Sequence, residues 1–172
     1  MVEVLGLRYF EKRLLTGIIE LMYIIRSGQA KDAVFLSDLA FRSKAYWGYD
    51  KEFMARFKSD LKMEPADCAS GLTRIAFHGD AIVGFYSLYG DAPEGKLTDL
   101  FVEPSYIGKG VGKELWGGAI RQAKELGFTT LEIHSDPHAE GFYLRMGAER
   151  KGSVPSSSIA ERKLPFLIMR IK

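Results

Sequence analysis

The sequence predicts an α/β (α+β) fold, a single mixed sheet flanked by helices. Three observations predict it. Helical patterns come first, a hairpin signal follows, and the second half then reads β-α-β-α-β-β, an order that a purely parallel doubly wound sheet does not give. The 172 residues, 47% hydrophobic and 27% charged, are enough for one sizeable core. No repeat, low-complexity tract or linker interrupts residues 23–172, which therefore read as one domain behind an N-terminal helical extension, residues 1–22.

Within that extension, Phe10 to Met22 has amphipathic helical spacing, with Leu14, Ile18 and Leu21 on one face. Such a stripe needs a surface to bury against, and a twofold contact with a second copy is expected, since closed dimers are the commonest oligomers. Leu14 to Ile25 is the longest apolar stretch. Glu20 interrupts it, and it falls short of the roughly 20 residues that span a bilayer, so no membrane anchor is expected. Met22 is an alternative start that would leave the segment untranslated.

Tyr23–Arg26 then reads as a short strand. Asp32–Ala45 is a helix with Ala33, Leu36, Leu39 and Ala40 on one face. Gly48 breaks that pattern, and Asp50 caps a second helix over Lys51–Leu61. Thr73–Phe77 and Ala81–Tyr89 are strands joined by the turn His78-Gly79-Asp80. Lys96–Val102 is a strand closed by Pro104. A helix over Val111–Leu126 stops at Gly127. Thr130–Ser135 is a strand, Ala139–Met146 a helix stopped by Gly147, and Ala148–Ser153 and Phe166–Ile171 are the last strands, separated by a loop with Pro155 and Ser156 to Ser158.

Charge and cysteine content narrow the partners. A net charge of +2 lacks the basic excess of a nucleic-acid binder. The lone Cys68 permits no intrachain disulfide and no cysteine zinc cage, which fits a cytoplasmic location. His134, Asp136 and His138 are too loosely spaced to predict a metal site, and none is expected.

The most informative stretch is Gly108-Lys109-Gly110-Val111-Gly112-Lys113, between a strand and a helix. Glycines leave the backbone free to turn tightly, and the first N–H groups of the helix lack internal partners, so the loop suits a phosphate or pyrophosphate. The bland alternative is a plain glycine-rich turn. Two better-known phosphate loops fail on spacing: a P-loop would need glycine at Ile107 and Ser or Thr at Glu114, and a Rossmann fingerprint would need glycine at Lys113.

Leu100-Phe101-Val102-Glu103-Pro104 followed by the glycine loop and a helix resembles the cofactor-binding motif of the GNAT superfamily of acetyl-CoA-dependent N-acetyltransferases. A second signature, Asp136-x-x-Ala139-x-x-x-Tyr143-x-x-x-Gly147, is similar to that family's Asn-x-x-Ala-x-x-x-Tyr with a trailing glycine. Two departures stand out: Ile107 replaces the usual Arg or Gln, and Asp136 replaces the usual Asn, losing the amide donors. The resemblance implies a GNAT-like sandwich around a mixed, mostly antiparallel central sheet. It also implies direct attack of a primary amine, on a small molecule or peptide, on the acetyl-CoA thioester.

The same resemblance assigns roles. The backbone from Ile107 to Lys113 (Gly108, Lys109, Gly110, Val111 and Gly112 between them) would hold the pyrophosphate. Leu100, Phe101 and Val102 would pair with the pantetheine arm, and Asp136 would border the cofactor. Tyr143 would be the general acid, the alternative being a tyrosine packed in the core. Asp99, on the strand face of Phe101, is the first candidate for the base, with Glu103 and His134 behind it; a structural cap or ion pair is its alternative. Tyr46, Trp47, Tyr49 and Phe53 cluster where this family binds its acceptor, and would line a pocket unless they are ordinary core. Two other classes use the same loop: a catalytically silent acyl-CoA-binding sensor or scaffold, and an enzyme that acylates a protein or RNA.

Overall fold

The computed structural model describes residues 23–159 and 161–172, so the helix expected over residues 10–22 lies outside the described residues. Seven strands form one sheet among the described residues, in the order β1-β2-β3-β4-β5-β7-β6. They are β1 (Ile24–Ser27), β2 (Thr73–His78), β3 (Ala81–Asp91), β4 (Glu94–Val102), β5 (Thr130–His134), β6 (Glu149–Pro155) and β7 (Lys163–Arg170). Every neighbouring pair is antiparallel except β4 with β5. The sheet is mixed, as the element order predicts, and mostly antiparallel, as the family resemblance implies.

Helices cover both faces. On one side lie α1 (Ala33–Ala45), α2 (Lys51–Phe57) and the short α3 (Pro65–Ala69). Leu36, Leu39, Met54, Phe57, Ile75 and Phe85 form the core on this face. On the other side lie α4 (Val111–Glu125) and α5 (Glu140–Arg145). Here Val111, Leu115, Ala119 and Ala123, each four residues on from the last, bury one stripe of α4 against Val83, Tyr86 and Leu88 of β3. Leu115 is fully buried, which stabilises the fold by about 1.5–3 kcal/mol.

Two helix assignments differ from the sequence reading. The second helix ends at Phe57 rather than Leu61, although Asp50 caps it as expected by accepting from the Phe53 N–H at 2.8 Å. Leu61 still reaches the core through a turn in which its N–H donates to the Phe57 carbonyl at 3.1 Å, so the apolar spacing is satisfied without a continuous helix. Helix α3 is too short to show a period; it starts on Pro65 and buries Cys68.

Register in β4 decides which side chains face which layer. Ser87 pairs with Asp99 and Leu88 with Leu97, so Thr98 is an extra residue on β4, a β-bulge. Without it, Leu97 and Asp99 would share a face. With it, Leu97, Leu100 and Val102 pack in the α4 layer, while Phe101 joins the α1 layer and Asp99 turns with it.

Gly84 lets the layers close. A Cβ there would sit 2.7 Å from the Phe101 carbonyl oxygen and 2.9 Å from Leu115 Cδ1. Gly84→Ala should therefore lower stability by about 1–3 kcal/mol through overpacking, measurable as a reduced midpoint in chemical denaturation with an unchanged m-value.

Candidate active site

The site begins where the parallel pairing ends. Strands β4 and β5 pair from Glu94 with Thr130 to Leu97 with Ile133, and no further. Beyond Leu97, β4 continues to Val102 alongside β3 alone, and β5 stays with β7. The wedge between them is a cleft of about 630 Å³ that reaches both faces of the sheet. Leu100, Phe101 and Val102 line it. The Val102 N–H donates to Ser43 Oγ of α1 at 3.4 Å.

One end of the cleft is the glycine loop. Gly108 and Gly110 adopt φ of +80° and +89°, which L side chains rarely tolerate, while a Cβ at either would meet nothing within 4 Å. Glycine is needed there for the backbone and not for space. The Ile107 N–H is committed to the Pro104 carbonyl and the Lys109 N–H to the Tyr106 carbonyl, both at 3.2 Å. Those two donors are therefore unavailable to a pyrophosphate. The N–H groups of Gly108, Gly110, Val111, Gly112 and Lys113 have no backbone acceptor among the described residues, and they stand at the N-terminus of a fifteen-residue helix. Lys109 and Val111 do not line the cleft; Ile107, Gly108, Gly110, Gly112 and Lys113 do. The Lys109 carbonyl in turn accepts from the Tyr23 hydroxyl at 2.9 Å, a brace that no motif announces.

Tyr143 projects from α5 into the cleft and is 6% exposed. Its hydroxyl donates to no described residue. Burial pushes its pKa well above the usual tyrosine value, and the charges of Asp99 and Asp136 raise it further, so it holds its proton at neutral pH. Asp99 reaches the cleft from the α1 face. Burial lifts its carboxyl above the ordinary aspartate range, against hydrogen bonds from Thr98 and Ser87 that lower it. The two weaker base candidates are engaged: Glu103 is held bidentately by Arg42, at 2.7 and 3.2 Å, and His134 Nε2 lies 2.6 Å from Glu132. Among the described residues no group of His, Cys, Asp or Glu is arranged to hold a metal, and no helix is long and apolar enough to cross a membrane.

Asp136 is a hub. Its carboxylate accepts from Lys44 Nζ at 2.9 Å, from the Tyr49 hydroxyl at 2.9 Å, from the His138 N–H at 3.0 Å and from Arg162 Nη2 at 3.3 Å. Burial would raise its pKa, but the Lys44 bond and charge, the His138 N–H and Tyr49 outweigh that and hold it below the usual aspartate range. Burial in turn pulls the Lys44 ammonium below its usual value.

The four aromatics divide. Trp47 lines the cleft and stacks on His138, ring centres 5.3 Å apart. Tyr49 and Phe53 stack on each other at 4.0 Å behind the wall, and Tyr46 is 53% exposed; none of these three reaches the cleft. Their expected place is taken by Ser43, Lys44, Phe57 and Leu61, with Leu164 from the start of β7. Phe57 and Leu61 carried a legible apolar signal, whereas Lys44 and Arg162 looked like ordinary charged residues in the sequence.

Comparison with known proteins now decides the family. A family model described as an acetyltransferase (GNAT) domain matches residues 49–172. The chain belongs to the GNAT acetyltransferase family. None of the functionally curated proteins matches it in sequence. Solved structures share the fold: PaiA N-acetyltransferase from Thermoplasma acidophilum in complex with coenzyme A has a TM-score of 0.71 at 19% identity, over 87% of this chain and 99% of that one. A GCN5-related N-acetyltransferase from Rhodopseudomonas palustris has a TM-score of 0.73 at 22% identity, over 89% and 98%. The ribosomal-protein-S18-alanine N-acetyltransferase from Escherichia coli has 0.63 at 18% identity, over 87% and 94%. These structural matches, over 87–89% of this chain, extend beyond the residues 49–172 that the family model matches.

Gly110→Val tests the loop. A β-branched residue in the left-handed region costs at least about 1–2 kcal/mol, so the loop should shift and CoA affinity, read by titration calorimetry, should fall roughly five- to thirtyfold. Unchanged affinity in a folded variant would contradict this account of the loop.

Proposed function

We propose that this GNAT protein is an acetyl-CoA-dependent N-acetyltransferase that acetylates a primary amine of a small molecule or peptide. The observation that carries this reading is the convergence of Asp99 and Tyr143 on one cleft, next to the glycine loop. Acetyl-CoA supplies an activated acetyl group as a thioester. The free N–H groups of the loop and the unpaired edge of β4 are suited to a pyrophosphate and an amide chain respectively.

The chain's residues then handle two protons. Asp99 takes one from the acceptor ammonium, freeing the nitrogen lone pair to form the new N–C bond. Its lifted pKa makes it a better proton acceptor than an ordinary aspartate. As the C–S bond breaks, Tyr143 gives its proton to the departing sulfur, and the second proton that the nitrogen loses as the amide forms restores the tyrosine. A tyrosine whose pKa is raised by burial stays protonated until that moment. Asp136, whose carboxylate is held by Lys44, Tyr49, the His138 N–H and Arg162, braces the wall of the cleft. The reading also carries a cytoplasmic, homodimeric setting without a bound metal, supported by the lone Cys68 and by the apolar spacing of Leu14, Ile18 and Leu21.

A free-thiol release assay over a panel of amines tests the reaction. Amine-dependent release is expected; tight CoA binding without release on any amine would point to the silent acyl-CoA-binding module. Tyr143→Phe should slow acetyl transfer by about 10²–10⁴-fold with CoA affinity little changed. A variant as fast as wild type in pre-steady-state transfer would assign Tyr143 to packing.

The base has its own signature. Because Asp99 must be ionised, kcat/KM should fall as pH drops through its raised pKa, so the acid limb should lie above the ordinary aspartate value of about 3.9. Asp99→Asn should lower kcat/KM and remove that limb from the pH–rate profile.

A further inference from the structure

The Asp136 cluster carries a charge that acetyl transfer does not use. Two cations, Lys44 and Arg162, converge on one carboxylate, and their side chains are only 11% and 13% exposed. Asp136 balances one of them, which leaves a positive charge on the cleft wall without a counter-ion in the cluster. An uncompensated cation out of water is costly, so a surplus built into a binding cleft points to an anion brought by the ligand.

The donors agree with the charge. Arg162 Nη1 is buried and donates to no described residue. Lys44 Nζ has three N–H groups; one goes to Asp136, and no other described residue accepts from it. Both cations lie over the rings of Tyr49, Phe53 and Phe57, Lys44 Nζ only 4.3 Å from the Phe57 ring centre, but only Lys44 lines the cleft. Two other carboxylates line this face. Asp99 is the proposed base. Asp60 is exposed, makes no ion pair with a described residue, and exerts the weakest of the pulls on Lys44.

Resting on the acetyltransferase reading, we infer that Lys44 is a specificity-determining residue that binds a carboxylate of the acceptor, so that the acetylated amine belongs to a small amino-carboxylate. Asp99 and Lys44 then meet the two ends of one zwitterion, the ammonium and the carboxylate. Arg162 and Asp136 position Lys44 without touching the ligand.

The full chain, loaded with CoA, can be titrated calorimetrically with N-acetyl amino acids, each paired with its carboxamide. Among the members that bind, the acids should bind about tenfold tighter than their amides or more. The gap should close in Lys44→Met and survive in part in Lys44→Arg. Equal affinity for acid and amide in the wild type needs no variant to read and would overturn the inference. So would absence of binding by every acid, or a gap that survives Lys44→Met in a folded protein. The acetyltransferase reading fails separately. Acetylation of amines regardless of a carboxylate would keep the enzyme and remove the role of Lys44. Acid-selective binding with no thiol release from any amine would keep the subsite and remove the enzyme.

Discussion

Four residue pairs of parallel ladder join β4 to β5, and the cleft depends on their being no more than four. Up to Leu97 the sheet is continuous; beyond it, the sheet splits into two leaves. Strand β4 follows β3, and β5 follows β7, whose Pro165 carbonyl accepts from the Ser135 N–H at 2.9 Å. A continuous sheet would have consumed the edge of β4 and closed the path between its faces. The Thr98 bulge lies at the point of separation, and bulges bend and twist the strand that carries them. One extra residue thus accompanies two effects: the strands part, and Asp99 changes face.

The split also sorts the charges. Uncommitted N–H groups gather at the start of α4, where the helix dipole reinforces them. The carboxylates Asp99 and Asp136 lie deeper, and both raise the Tyr143 hydroxyl pKa after burial has done most of the work. A buried tyrosine near two carboxylates resists ionisation, which a proton donor requires. The same surroundings favour protonation of Asp99, which improves a base only while its pKa stays below the working pH.

Much of this was legible in the sequence because it depends on local rules. Periodicity and turn residues located the seven strands and the long helices, and the positive-φ glycines of the loop had a spacing that could be read directly. The Asp50 cap followed from residue type alone. What escaped depends on contacts remote in sequence. Thr98 is an unremarkable threonine until its register with β3 is known. The C-terminal end of α2 and the turn after it were set by packing of Phe57 and Leu61, which a helix and a tight turn satisfy equally well. Aromatic clustering drew attention to Tyr46, Trp47, Tyr49 and Phe53, yet of the four only Trp47 lines the cleft, because Tyr49 stacks on Phe53 and Phe53 on Phe57. Arg162 joins Asp136 across 26 residues and Lys44 across 92, separations at which a single sequence carries no pairing signal.

The bond from Tyr23 to the Lys109 carbonyl ties together residues 86 apart, and it starts outside the stretch by which the family is recognised. The part of the chain that inheritance has kept recognisable is therefore smaller than the part that must fold together. Excising residues 49–172 as a minimal domain would strip away β1, expose the edge of β2 as a template for aggregation, and take away the α1 roof over Phe85. It would also remove the brace behind the glycine loop. For this protein, a boundary drawn by resemblance is an unsafe place to cut.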